Sequence, residues 1–208
     1  MKRNTDKVVI IDYGTGNIAS LKNSFAFLGI PAAASSDRAV IQNASKLILP
    51  GVGAFKPARE KLRQQGLDDV ITTKAGEGTL LLGICLGMQL FFTRSNEFGD
   101  CPGLNLIPGT VEAITGVKKI PHMGWNQTEI IRPDPVFHNI PDQSYFYFVH
   151  SFVCRQDDPE TEVAQCRYGQ NFCAAVRKEN IIGMQFHPEK SGSVGLRVLK
   201  NFYNQESS

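Results

Sequence analysis

One cysteine in this chain sits in a setting suited to chemistry. The run Leu80-Leu81-Leu82 leads into Gly83-Ile84-Cys85-Leu86-Gly87, and Met88-Gln89-Leu90 follow. The apolar run reads as a buried strand and the residues after Cys85 as a helix. Strand, Gly-x-nucleophile-x-Gly turn and helix together make a nucleophile elbow, with a thiol where many hydrolases place a hydroxyl. Glycines two positions to either side leave room for a sharp turn that larger side chains would block. The start of the following helix favours negative charge on the sulfur. The Leu86 N–H then points at the group the sulfur attacks, as one half of an oxyanion hole. Taken alone, the pattern also fits a small residue at a tight strand–helix contact.

A thiol nucleophile needs a base, and Gln185-Phe186-His187-Pro188-Glu189 supplies one. Residues two apart in extended backbone point to the same side, and Pro188 pushes His187 towards extended geometry. Glu189 can therefore orient the imidazole, and the imidazole can deprotonate Cys85. His122, His138 and His150 have no carboxylate at this spacing.

These groups need a scaffold, and the chain reads as an α/β one. Val8-Val9-Ile10-Ile11 is a first buried strand, followed by a loop over Asp12 to Asn17. Ile18, Leu21, Phe25 and Leu28 recur at helical spacing before Gly29 and Pro31. Ala32 to Ala34 and Lys46 to Leu49 read as further strands, and strands alternating with helices imply a parallel sheet. Pro50-Gly51-Val52-Gly53 follows the third strand and so belongs at the sheet's carboxyl edge, beside the elbow. Its glycines permit close backbone approach to a ligand and leave the Val52 peptide easy to turn. An oxyanion donor formed only when needed is one expectation; a plain strand-to-helix turn is the other. From Gly109 to Gln185 the character changes to short strands: Thr110 to Ile114, Tyr145 to Val149, Glu162 to Arg167, Cys173 to Arg177 and Ile181 to Phe186, with a hairpin turn at Lys178-Glu179-Asn180. Val194, Val198 and Phe202 mark a closing helix, and Asn204 to Ser208 a polar tail. The expected fold is α/β over one domain, residues 1–208, with a mostly parallel central sheet flanked by helices and an added antiparallel sheet.

The bulk properties exclude several classes. The 208 residues are 42% hydrophobic and 20% charged, ordinary for a globular chain. A net charge of +2, from 22 basic and 20 acidic residues, makes no electrostatic case for nucleic acid or an anionic membrane. No apolar run approaches the ~20 residues of a membrane span, and Met1 to Asp6 lead into a strand, not a signal core. Five cysteines without a C-x-x-C pair argue against a disulfide framework or a zinc site. One rival motif stands in the first unit. Gly14-x-Gly16-x-x-Ala19 follows a strand and opens a helix, with Asp37 near the place of a ribose-binding acid, which would suit a dinucleotide-binding module. Asp12 and Tyr13 separate that strand from the first glycine and misplace the tight turn.

The motifs Gly83-Ile84-Cys85-Leu86-Gly87-Met88-Gln89 and Phe186-His187-Pro188-Glu189 resemble the class I glutamine amidotransferases. Pro50-Gly51-Val52-Gly53, Pro121-His122-Met123-Gly124-Trp125-Asn126, Tyr147-Phe148-Val149-His150-Ser151 and His187-Pro188-Glu189-Lys190-Ser191 resemble, more narrowly, the glutaminase subunits of imidazole glycerol phosphate synthases. The resemblance runs from Asp12 to Phe202 and implies a flavodoxin-like fold. It implies a Cys85–His187–Glu189 triad, oxyanion donors at Val52 and Leu86, and glutamine held by Gly53, Gln89, Glu97, Ser151 and Phe152. It also implies a cyclase partner met through Asn17, Met123, Trp125 and Lys190, a cytoplasmic setting, and no metal or cofactor. Relatives that serve surface-sugar amidation or pyridoxal phosphate synthesis share the elbow and triad and remain alternatives. The pyridoxal relatives usually lack the Leu-Gly-Met-Gln continuation present here.

Overall fold

A computed structural model describes residues 7–206. The stretch 1–6, expected to lead into the first strand, and the last two residues of the tail lie outside the described residues. The first half alternates strand and helix: β1 (Val8–Ile11), α1 (Ile18–Phe27), β2 (Ala32–Ser35), α2 (Arg38–Gln42), β3 (Lys46–Leu49), α3 (Phe55–Gln64), α4 (Leu67–Gly76), β4 (Leu80–Ile84) and α5 (Leu86–Leu90). The second half is mainly strands: β5 (Phe92–Ser95), β6 (Cys101–Pro102), β7 (Ile107–Ala113), β8 (His122–Ile130), β9 (Ser144–His150), β10 (Phe152–Gln156), β11 (Glu162–Tyr168), β12 (Gln170–Lys178) and β13 (Ile181–Met184). The helix α6 (Gly192–Tyr203) closes the chain.

Nine strands form one sheet in the order β2-β1-β3-β4-β13-β12-β11-β8-β9. The first five run parallel, in the order of flavodoxin-like folds. The others are antiparallel and continue the same sheet, because the tight turn at Glu179, with φ of 54°, folds β12 back onto β13. The expected antiparallel addition is thus joined edge to edge with the parallel part. A second, four-stranded sheet, β10-β7-β5-β6, stands apart from it. Strand β8 is one the sequence did not reveal. Gly124, Asn126 and Gln127 interrupt its apolar alternation, and it is held by main-chain pairing to β9 and β11 instead.

The parallel strands are apolar on both faces, as strands covered by helices on both sides must be. Val8, Ile10, Ile48, Leu80 and Leu82 face a core completed by Leu21, Phe25, Val198 and Phe202. Val9, Ile11, Leu47, Leu49 and Leu81 face the opposite core, with Phe55, Leu62, Ile71 and Phe91. The register then aligns three strand ends. Leu49 pairs with Gly83 and Ile84 with Met184, so β3, β4 and β13 finish side by side. Their following loops carry Val52, Cys85 and His187.

Candidate active site

Cys85 has φ 54° and ψ −110°, backbone that non-glycine residues rarely adopt. It is held there from all sides. Its N–H donates to the Met184 carbonyl at 2.7 Å, tying the elbow to β13. A Cβ at Gly83 would lie 2.5 Å from the Phe91 ring, and one at Gly87 only 1.8 Å from the Leu49 carbonyl oxygen. Gly51 presses on the elbow from the third strand, where a Cβ would lie 2.8 Å from Leu86 Cβ. Tyr13 fixes this loop, donating its hydroxyl to the Pro50 carbonyl at 2.9 Å. Burial, helped by Cys85 nearby, pushes the Tyr13 phenol up, so the hydroxyl keeps its proton.

The same contacts remove the dinucleotide reading. Tyr13 turns inward, a Cβ on Gly16 would strike Pro50 at 2.9 Å, and Asp37 caps α2 by accepting from the Ala39 N–H at 2.8 Å. The glycines pack loop against loop, and the acid is spent on a helix end.

His187 is 1% exposed and has the extended backbone that Pro188 imposes. Its Nδ1 lies 2.8 Å from Glu189 Oε1. The two meet through a 3-10 turn, Pro188–Lys190, and not along an extended strand as their spacing suggested. The turn is anchored where the His187 N–H donates to the Tyr147 carbonyl at 2.9 Å and Ser191 Oγ donates to the His187 carbonyl at 2.6 Å. Nε2 makes no hydrogen bond. The Cys85 thiol instead approaches the Val149 carbonyl at 3.8 Å, a resting arrangement of the kind that tightens when substrate binds. Burial opposes charge on the His187 ring, but the Cys85 sulfur and the Glu189 carboxylate outweigh it and raise its pKa to about 10.

Cys85 opens onto a cleft of about 370 Å³. Val52, Gly53, Leu86, Gln89, Glu97, Ser151 and Phe152, all expected around the substrate, line it together with Phe98, Pro121, Val149 and His150. Glu97, which by itself reads as a solvated charge, is 8% exposed. Its Oε2 accepts from the Phe55 N–H at 2.6 Å, supplying the cap that Ala54 does not give α3. The Gln89 amide nitrogen donates to the Phe152 carbonyl at 3.2 Å and to Gln185 Oε1 at 3.1 Å.

His150 belongs to a hydrogen-bonded string whose direction is set by its ends. A carbonyl only accepts, so His150 Nδ1–H donates to the Phe152 carbonyl at 2.9 Å. His150 Nε2 must then accept, and His122 Nδ1–H donates to it at 2.9 Å. His122 Nε2 in turn accepts from Asn126 Nδ2 at 3.2 Å. Both rings are neutral, since burial lowers the His122 pKa to about 4 and the His150 pKa to about 3.

On β8, Met123 and Trp125, two positions apart on one face, are 59% and 54% exposed. Trp125 packs edge-on to Tyr147, 6.2 Å between centroids, and Lys190 Nζ sits 5.6 Å from the centre of the same ring. The Pro188–Lys190 turn also packs against α1, which begins directly after Asn17. Trp125 and Lys190, two of the residues expected to meet a partner, thus flank one Tyr147 ring.

All five cysteines are unpaired and buried. Among the described residues no cluster of three or more His, Cys, Asp or Glu side chains is placed to hold a metal ion, and no helix is long and apolar enough to cross a membrane. Sequence reasoning missed His150, on the cleft wall, and Gln185, buried against Cys85. Gln185 stands two residues before His187, a spacing that was visible, but only the pairing of β13 with β4 brings its amide to Cys85.

A parallel sheet with a cysteine elbow on one strand and a histidine–glutamate pair beyond its neighbour defines a fold built for cysteine-nucleophile chemistry. The class-I glutamine amidotransferase family matches residues 9–205, and the chain belongs to it. Within that family, the imidazole glycerol phosphate synthase subunit HisH of Chlorobaculum tepidum is 47% identical over 197 residues, covering 94% of this chain and 98% of that protein. The subunit of the same name from Syntrophotalea carbinolica is 47% identical over 202 residues, again covering 94% and 98%. A crystal structure of a glutamine amidotransferase superposes with a TM-score of 0.74 at 20% identity, over 93% of this chain and 96% of the other. A structure of PurLQS from Thermotoga maritima gives 0.74 at 19% identity, over 95% and 97%. At such identities the solved structures share the fold.

Proposed function

We propose that this chain is the glutaminase subunit of an imidazole glycerol phosphate synthase. In this reading it hydrolyses the side-chain amide of glutamine and passes ammonia to a cyclase subunit, which forms imidazole glycerol phosphate and aminoimidazole carboxamide ribonucleotide in histidine biosynthesis. The observation that carries the chemistry is Cys85, strained at the head of the elbow, one strand away from the buried His187–Glu189 pair. The 47% identity to subunits of that name supports the pathway.

The Cys85 thiolate attacks the amide carbon, and the Leu86 and Val52 N–H groups receive the developing oxyanion. A protonated His187, favoured by its raised pKa, gives its proton to the departing amide nitrogen. The neutral ring then takes a proton from water as that water attacks the thioester, releasing glutamate and the sulfur. Glu189 holds the ring through Nδ1 and offsets its charge. Glu97 faces the α-amino group of glutamine, and Gly53, Gln89, Ser151 and Phe152 hold the remainder. The Ser151 and Phe152 carbonyls already accept internal hydrogen bonds, so their N–H groups are what the substrate's carboxylate meets.

Released ammonia is mostly protonated at neutral pH and then not nucleophilic, so it must travel under cover. Asn17, Met123, Trp125 and Lys190 are the seat for the cyclase, a (β/α)8 barrel, in a cytoplasmic heterodimer. The whole chain acts as one glutamine amidotransferase domain, and the reaction needs no metal or cofactor. The test is to purify the chain with a candidate cyclase and follow cyclisation driven by glutamine or by ammonia. Cys85→Ala removes the glutamine-driven rate and spares the ammonia-driven one. Glutamine-driven turnover surviving in Cys85→Ala would refute the assignment, as would a wild-type pair that uses only ammonia.

A further inference from the structure

Gln185 is fully buried, 0% exposed, at the carboxyl end of β13. Its amide nitrogen lies 3.6 Å from Cys85 Sγ, within hydrogen-bonding reach of sulfur. The distinction between amide oxygen and nitrogen matters here, because an oxygen at that place would repel a thiolate while an N–H would stabilise it. The surroundings decide it. The Phe152 carbonyl can only accept, so the group that Gln89 aims at it must be Nε2. That same nitrogen meets Gln185 at 3.1 Å, so Gln185 presents Oε1 to Gln89. Its Nε2 is left for the sulfur. The main chain of Gln185 is also pinned, its N–H donating to the Ala174 carbonyl at 2.9 Å.

We infer that Gln185 is a further catalytic residue: its side-chain N–H, turned towards Cys85 by Gln89, holds and stabilises the sulfur as a thiolate. The role rests on Cys85 being the nucleophile, as proposed above. A thiol can give its proton to the Val149 carbonyl, which favours the protonated form. Once deprotonated, the sulfur loses that contact and the Gln185 N–H faces it. Hydrogen bonds to a charged partner are stronger than those between neutral groups, so the amide favours the reactive form selectively.

The test is the rate of Cys85 alkylation by iodoacetamide against pH, followed by mass spectrometry on the intact chain. The titratable groups around the sulfur are Tyr13, Cys154, His150, His187, Glu189 and Glu97. Tyr13 and Cys154 are kept protonated by burial, and His150 is kept neutral. Gln185→Leu keeps the volume and removes the donor. Its alkylation at pH 7 is expected to be about tenfold slower than wild type, with the profile displaced to higher pH and the same plateau at high pH. Gln185→Glu, nearly isosteric, places an acceptor beside the sulfur and displaces the profile in the same direction, which carries the test if the leucine variant does not fold. Profiles in both variants that overlay wild type would overturn the inference. A simple loss of structure would instead lower the plateau or expose the other cysteines to label. Failure of the wild-type chain, paired with its cyclase, to react at Cys85 with a chloroketone analogue of glutamine would overturn the nucleophile itself, and this inference with it.

Discussion

Replacing Gly87 by alanine tests how the elbow is built. An ideal Cβ there would sit 1.8 Å from the Leu49 carbonyl oxygen and 2.8 Å from its carbon, both backbone atoms that cannot rotate away. Reaching even 3.0 Å requires the elbow and the end of β3 to part by about 1.2 Å. That separation lies between the sulfur and the Pro50-Gly51-Val52 loop, the two sides of the proposed oxyanion site. Overpacking of this kind costs about 1–3 kcal/mol in stability, and a misplacement of about 1 Å at a reacting centre costs ~10²-fold in rate. Gly87→Ala is therefore expected to lower both the urea midpoint and the glutaminase rate measured with the cyclase, and to slow chloroketone labelling of Cys85. Gly76→Ala is the control. It ends α4, a Cβ added there would meet no atom within 4 Å, and its φ is not positive, so it should stabilise the chain by about 0.4–1 kcal/mol through the unfolded state and leave turnover unchanged. A Gly87→Ala chain with wild-type stability and rate would show that the close approach of β3 to the elbow is not what shapes the site.

Three further outcomes follow from the site. His187→Ala should lose ~10²–10⁴ in glutaminase rate, whereas Glu189→Gln should retain more because the ring stays in place; steady-state rates in the complex decide it, and unchanged rates in both would leave the pair without a role. Stability should fall as pH drops below about 6.5: His122 and His150, protonated near 6.5 when unfolded but only near 4 and 3 when folded, withdraw it at up to ~1.4 kcal/mol per pH unit each. Urea midpoints from pH 5 to 9 test this, and His122→Gln should flatten the acid side. Trp125→Ala should weaken association with the cyclase, or its stimulation of glutamine hydrolysis, more than it lowers the melting temperature; a chain fully active alone and indifferent to the cyclase would refute any role for the Val52 peptide as a switch.

The residues of the candidate site were legible because they obey local rules. Gly83, Gly87 and the apolar run before them mark an elbow whatever surrounds it, since the turn itself excludes side chains. His187, Pro188 and Glu189 are close enough in sequence to meet without help from the rest of the fold. The alternation of Val8 to Ile11, Lys46 to Leu49 and Leu80 to Ile84 with helices likewise announced the parallel sheet. What the chain alone did not determine depends on which strands become neighbours. Strand β8 is a strand through its pairing with β9 and β11, not through its side-chain pattern. Glu97 looked like a surface charge because its partner, the Phe55 N–H, lies 42 residues away. Gly14 and Gly16 imitate a phosphate loop in sequence, but in the fold Tyr13 turns inward and Pro50 fills the space beside Gly16. The Gln185 amide meets Cys85 across 100 residues of chain. Such contacts arise from strand order and register, long-range hydrogen bonds that no short window of sequence encodes, and they convert a recognisable cysteine into an oriented one.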